Sequence, residues 1–306
     1  MEPDGRQSLN IAEGWKGSSD ALIHLARLRD ELEKATGSAV RFNWFLRADP
    51  QIEKAWGRAD WVAEACPRIM RAIEAHDDYC GIHVHMWRWN QNREQWFSDL
   101  SDLSWLDECV ATSVEAFKSI FGRAPEANRF GDRWMNEDAL AVLKLYGIRY
   151  ELSVEPGLPN LPIHDDPHAT EWLPDFRGVP REPYVPLGDN FMEAGEPTGR
   201  DDLWMLPLTT TDIGWRLVRR RPYLVRASRS PNLSLSHEYV WPLIRSKLDR
   251  PSTSPLVVAV RSGDLVNRSF LRNFLRTTAE LVRHPALAFC EFTTPPEAVT
   301  RWSETR

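Results

Sequence analysis

Short apolar runs alternate with stretches of helical period along the chain. Over 19–35 (SDALIHLARLRDELEKA), Leu22, Leu25, Leu28 and Leu32 recur every three or four residues. That spacing predicts an amphipathic helix, with Ser18, Ser19 or Asp20 as its cap. The same periodicity predicts helices at about 59–76, broken or started near Cys66-Pro67, and at about 103–121, 136–146, 235–249 and 268–283. The runs between them read as strands: 8–11 (SLNI), 39–46 (AVRFNWFL), 79–87 (YCGIHVHMW), 148–154 (IRYELSV), 203–208, 256–260 (LVVAV) and 287–292 (LAFCEF). Strand and helix in alternation is the α/β pattern. The expected architecture is a single (β/α) domain over 1–306, an irregular barrel of about seven strands.

One stretch breaks the rhythm. Residues 155–199 are dense in proline and glycine yet carry Trp172, Phe176, Tyr184 and Phe191. Aromatics need burial, so the segment is expected to be an ordered loop over the mouth of the barrel.

Composition narrows the function. With 306 residues, 42% of them hydrophobic and 27% charged, the chain can bury a sizeable core. The net charge is -6 and no basic stripe stands out, which argues against nucleic acid as a partner; Arg219-Arg220-Arg221 reads as a solvated face. No run has the roughly 18 apolar residues of a membrane span. Met1-Glu2-Pro3-Asp4-Gly5 has neither a basic nor an apolar signal region, and the four cysteines are widely spaced. A cytoplasmic protein with buried free thiols is the expectation. Fourteen tryptophans against six tyrosines tilt the ligand toward carbohydrate, whose rings stack on flat aromatic faces.

The densest candidate chemistry is Gly81-Ile82-His83-Val84-His85-Met86-Trp87. Side chains alternate along a strand, so His83, His85 and Trp87 share one face. Two imidazoles on one face suggest a metal site needing a further carboxylate; a pair of structural histidines is the plainer alternative. Glu13 and Asp49 each follow a strand, where α/β barrels place their chemistry, although Asp49 before Pro50 also suits a turn. In Asn128-Arg129-Phe130-Gly131-Asp132-Arg133-Trp134-Met135-Asn136, either arginine could orient a carboxylate, Trp134 could floor a sugar pocket, and Asn136 caps a helix. Asp175 and Arg177 in the long loop serve equally well as substrate contacts or as loop anchors. No G-x-S-x-G elbow and no phosphate-binding P-loop occurs.

Taken in order, these motifs resemble the polysaccharide deacetylase superfamily over about 8–298. Leu9-Asn10-Ile11-Ala12-Glu13-Gly14 is similar to its first strand, which ends in Asp-Asp-Gly. Val40-Arg41-Phe42-Asn43-Trp44-Phe45 and Gly81-Ile82-His83-Val84-His85 look like its next two strands. Arg129-Phe130-Gly131-Asp132-Arg133-Trp134 is similar to the arginine loop that walls its groove. Ser153-Val154-Glu155-Pro156-Gly157 and Asp175-Phe176-Arg177-Gly178, with Pro183-Tyr184-Val185-Pro186, look like loop motifs of one branch. The resemblance implies a distorted barrel and a divalent metal, usually zinc, held here by His83, His85 and Glu13. It implies hydrolysis of an amide or ester on a sugar.

The departures are specific. Ala12 stands in place of the family's base aspartate and Glu13 in place of its metal aspartate; the second histidine follows by two positions rather than four; Arg261 replaces the late catalytic histidine. The proton-taking role then falls to Asp49 or Asp132. Arg129 or Arg133 would orient that carboxylate or bind substrate, and Trp87 and Trp134 would stack on the sugar. Asp175, Arg177 and Arg261 would contact it. A permanently charged Arg261 could grip a carboxylate, which suits an acidic sugar. Two other readings remain open at this point: a catalytically degenerate barrel that binds a saccharide or a partner protein, and glycosidic cleavage by an Asp/Glu pair.

Overall fold

The computed structural model describes residues 1, 3, 14–160, 173–199, 201–218, 223–229, 232–250 and 254–305. The expected strand at 8–11, Glu13, Trp172 and Arg219-Arg220-Arg221 lie outside the described residues.

The first element is α1 (Lys16–Thr36), followed by β1 (Asn43–Leu46), α2 (Pro50–Trp56), α3 (Trp61–Ala65), α4 (Pro67–Ala75) and β2 (Tyr79–Ile82). A hairpin of β3 (Trp87–Asn90) and β4 (Gln95–Ser98) comes next, then α5 (Leu103–Phe121), β5 (Ala127–Asn128), α6 (Glu137–Leu145) and β6 (Tyr150–Glu151). The hairpin β7 (Val185–Leu187) and β8 (Asn190–Gly195) precedes β9 (Trp204–Met205), and the hairpin β10 (Thr211–Val218) and β11 (Tyr223–Arg229) follows it. Three helices come last: α7 (His237–Leu248), α8 (Arg268–Arg283) and α9 (Pro295–Glu304).

β1, β2, β5, β6 and β9 pair in that order, all parallel, as the α/β reading requires. Cys80, Gly81 and Ile82 are all buried, because a parallel sheet is covered on both faces. Among the described residues five strands pair and the sheet does not close, so the irregular barrel is seen as an open parallel sheet flanked by helices. Residues 256–260 lie beside the chain after β9, where the Val257 amide donates to Thr209 Oγ1 at 2.9 Å, and Ala259 makes an isolated bridge to Asn232 outside the named strands. The expected strand at 287–292 is replaced by a 3₁₀ turn, Pro285–Phe289, whose Phe289 is 90% exposed.

Local chemistry sets the boundaries. α1 starts at Lys16, earlier than its stripe suggested, with Trp15 in the cap position and no side-chain cap; Ser18 is buried inside it against the Ser262 hydroxyl. Pro67, which lacks an N–H, separates α3 from α4 at Cys66. Asp102 caps α5 by accepting from Ser104 and Trp105, and Asn136 caps α6 by accepting from Ala139 at 2.8 Å. The 79–87 run does not remain one strand. Its sheet bonds continue through Val84, whose carbonyl accepts from Gly131 at 2.8 Å, and Trp87 then enters the antiparallel hairpin.

The proline-rich segment is tied back to the sheet. The Phe176 amide donates to Leu158 at 2.8 Å, Tyr184 and Met205 exchange backbone bonds at 3.1 and 2.8 Å, and Phe176, Tyr184 and Phe191 are buried. Cys66, Cys80 and Cys109 are buried and Cys290 is half-buried, and burial pushes the Cys80 thiol up to about 12. No helix of the described residues is long and apolar enough to cross a membrane.

Candidate functional site

The carboxyl ends of the parallel strands deliver the candidate residues. Arg47 and Asp49 follow β1, His83 and His85 follow β2, Arg129 and Asp132 follow β5, and Ser153 and Glu155 follow β6. The two imidazoles meet edge to face, with Nε2 of His83 and Nε2 of His85 separated by 3.2 Å.

Their other nitrogens face oxygens. His83 Nδ1 lies 2.5 Å from the main-chain oxygen of Arg129. A carbonyl only accepts, so that nitrogen carries the proton. His85 Nδ1 lies 2.9 Å from Asp132 Oδ2, and the Trp87 indole N–H donates to the same oxygen at 3.0 Å. The same indole N–H also lies 3.1 Å from His85 Nδ1, so Asp132 Oδ2 and that nitrogen share it. With each Nδ1 donating to its oxygen, the two Nε2 atoms stand 3.2 Å apart as acceptors, an arrangement that a cation shared between them would stabilise. Two nitrogens on one tetrahedral zinc, each at about 2.0–2.1 Å, stand roughly 3.3 Å apart. The pair therefore fits two ligand positions of a divalent cation, with the outer hydrogen bonds that metal-binding histidines use. Among the described residues no group of three histidine, cysteine or acidic side chains completes a site. The third ligand that the resemblance implies, Glu13, lies outside them.

The β5 loop is shaped around His85. A Cβ on Gly131 would lie 2.1 Å from His85 Nε2, so only glycine lets the backbone run against the ring. Asp132 and Arg133 follow with φ of 57° and 59°, a left-handed conformation costly for residues with a side chain.

Several expected roles change. Asp49 is fully buried; its Oδ1 accepts from the Gln51 and Ile52 amides at 3.1 and 3.3 Å, and its Oδ2 accepts from Arg47 Nε at 2.8 Å and the His85 amide at 3.2 Å. These four bonds make it the cap of α2 and the partner of a buried arginine, and they occupy both of its oxygens. Trp87 is 1% exposed and Trp134 3% exposed, the latter packed edge-on against Phe130, so neither offers a face to a sugar. Arg133 is exposed. Asp175 and Arg177 form a local ion pair on the loop, with Asp175 also accepting from the Arg177 amide at 3.1 Å. Arg261 is half-buried and its carbonyl accepts from Asp264 at 3.1 Å.

One group escaped the sequence reading. Glu151 is fully buried, with Oε2 accepting from Asn128 Nδ2 and Oε1 from the Ser153 amide, both at 2.6 Å. Burial pushes its carboxyl up to about 7, against the opposing hydrogen bonds from Ser153 and Asn128 and the Arg129 charge. The available signal was the single acid in the strand-like run 148–154, which also carries Arg149 and Ser153. At the opposite end of the strands, a cavity of about 410 Å³ is lined by Arg149, Tyr150, Trp204 and residues of α9, and it shares no residue with the imidazole pair.

No family model matches the sequence, and no curated protein matches it. Solved structures do. A Mycobacterium smegmatis protein described as a polysaccharide deacetylase superposes with a TM-score of 0.51 at 12% identity, covering 94% of this chain and 80% of that one. Puue allantoinase superposes with a TM-score of 0.52, also at 12% identity, covering 95% of this chain and 74% of that one. The chain thus shares the deacetylase-like fold, as the order of its motifs led one to expect.

Proposed function

We propose, with the deacetylase-like fold as premise, that the chain is a hydrolase whose centre is the His83–His85 pair, acting with a divalent cation on an amide or ester carried by a carbohydrate. The observation that carries this reading is the 3.2 Å approach of the two Nε2 atoms while each Nδ1 is turned onto an oxygen. His83, His85 and Glu13 would hold the cation. When bound, it would supply Lewis-acid polarisation of the scissile carbonyl.

The remaining chemistry belongs to the chain. Asp132 holds His85 in one tautomer, and the Arg129 carbonyl does the same for His83. Asp132 is also the carboxylate placed to share a proton with an imidazole, since Asp49 is committed to its helix cap. Support for a sugar passes from the buried Trp87 and Trp134 to Trp89 and Trp96. These half-buried rings are paired across the β3–β4 hairpin at 5.3 Å, and that hairpin begins two residues after His85. Trp89 lies on the same strand face as Trp87, which places the pair on the side that faces Asp132.

The test is acetate release from acetylated saccharides, neutral and uronic, with Zn²⁺ or Co²⁺ added, using the full chain and His83→Ala. Cation-dependent release that His83→Ala abolishes supports the reading; low turnover is expected on plain chitin oligomers, given Ala12 and Arg261. Release that is indifferent to His83, or its absence from every substrate with either cation, would overturn it.

A further inference from the structure

Both Nδ1 partners of the histidines come from one short segment, 129–132, and that segment is gripped from beneath by β6. Ser153 Oγ accepts from the Phe130 amide at 2.6 Å, just where the backbone pairing of β5 with β6 ends. Glu151 holds Ser153 through its amide and holds Asn128 through its side chain, each at 2.6 Å. Asn128 and Glu151 are also register partners in the sheet, so the side-chain bond doubles the strand pairing at the point where the loop departs.

From this arrangement we infer that Glu151, acting through Ser153 and Asn128, is a positioning residue: it fixes the 129–132 segment and thereby fixes the tautomer and orientation of His83 and His85. A hydrophobic side chain would satisfy the burial of this position more simply, since a buried acid without compensating bonds is costly. What a leucine would not supply is the pair of acceptors that hold Asn128, just before the segment, and Ser153, which grips Phe130 within it. The charge arrangement agrees. Arg129, whose carbonyl meets His83, places its positive charge where Glu151 feels it. The segment also carries backbone strain at Asp132 and Arg133, and strain persists only where surrounding structure over-determines it.

The inference rests on the reading of the histidine pair as the functional centre, and its test separates the two. Full-length wild type, Glu151→Ala, Glu151→Gln and Ser153→Ala are compared without metal by long-range ¹H–¹⁵N correlation of the imidazole rings at a pH where both rings are neutral. Wild type is expected to show His83 and His85 each as the single Nδ1–H tautomer, and Glu151→Ala to show mixed tautomers. Glu151→Gln is expected to restore the wild-type signals. Its carbonyl still accepts from Ser153, and rotation of the Asn128 amide lets Oδ1, which has no hydrogen bond among the described residues, accept from the new NH₂.

A second reading is Zn²⁺ affinity, which should fall about tenfold or more in Glu151→Ala and return to within about threefold of wild type in Glu151→Gln. Ring signals in folded Glu151→Ala identical to wild type would overturn the inference. If Glu151→Ala does not fold, Ser153→Ala decides: altered ring signals support the brace, and unaltered ones overturn it. Failure of wild type to bind Zn²⁺ would remove the metal reading, while the tautomer comparison would still decide the role of Glu151.

Discussion

Two loops leave the sheet beside His85, and each brings an aspartate to it. The loop after β1, Arg47 to Gln51, meets the His85 backbone through Asp49; the loop after β5, Arg129 to Arg133, meets its ring through Asp132. The first is closed: Arg47 and Asp49 have side-chain exposures of 1% and 0%, and both oxygens of Asp49 are filled by a helix cap and a guanidinium. The second is strained, with two non-glycine residues at positive φ and a glycine pressed against the ring. Both carboxylates contact His85, Asp49 at its backbone amide and Asp132 at its ring. The satisfied one caps a helix and pairs a buried arginine; the strained one meets the imidazole that the proposed function makes its centre.

Substitutions should break the symmetry of the two loops. The largest effect belongs to the closed one. Asp49→Ala removes a cap and leaves Arg47 as a buried uncompensated charge, which should cost about 3–5 kcal/mol in denaturant unfolding. A neutral result there would mean that the loop is not the structural half.

Beneath the strained loop, Glu151 should leave a pH signature. Its folded-state pKa is raised from 4.5 to about 7, so the folded protein keeps a proton that the unfolded chain has already lost. The stabilisation is fully present below about pH 4.5 and is lost as pH rises through about 7, a fall of roughly 3 kcal/mol over that window. Thermal unfolding against pH should show that slope in wild type and not in Glu151→Gln; the same slope in both would reassign it to another group.

Gly131→Ala should displace the His85 ring and lower Zn²⁺ affinity on the order of 100-fold, since a shift of about 1 Å is enough for losses of that size. Asp132→Asn, which keeps the side-chain size and tolerates the left-handed backbone, should leave the unfolding midpoint nearly unchanged and weaken Zn²⁺ binding about tenfold. If Asp132→Asn instead unfolded the protein as Asp49→Ala does, the division between the loops would collapse.

Much of this was legible beforehand, for reasons that particular residues make plain. The leucine stripe of α1, the Pro67 break and the Asn136 cap are local signals, and they appear where local physics puts them. His83, His85 and Asp132 were singled out from spacing and order, and the structure brings them together. What escaped depended on tertiary context. Nothing local says that the 79–87 run turns out of the sheet into a hairpin, or that Trp87 and Trp134 are buried instead of offering faces. Asp49 before Pro50 carried both a turn and a catalytic reading, and only the positions of Arg47 and the His85 amide choose between them. Glu151 was hidden because a strand this short gives no period from which a misplaced acid stands out.

The central claim is that His83 and His85 are two ligands of one cation. Calorimetric titration of Zn²⁺ into the metal-free full-length protein tests it most directly, with His83→Ala and His85→Ala titrated beside it. The account predicts one site per chain in the wild type, lost in both variants while their circular dichroism stays native. Absence of binding in the wild type, or a site that survives either substitution, would contradict it.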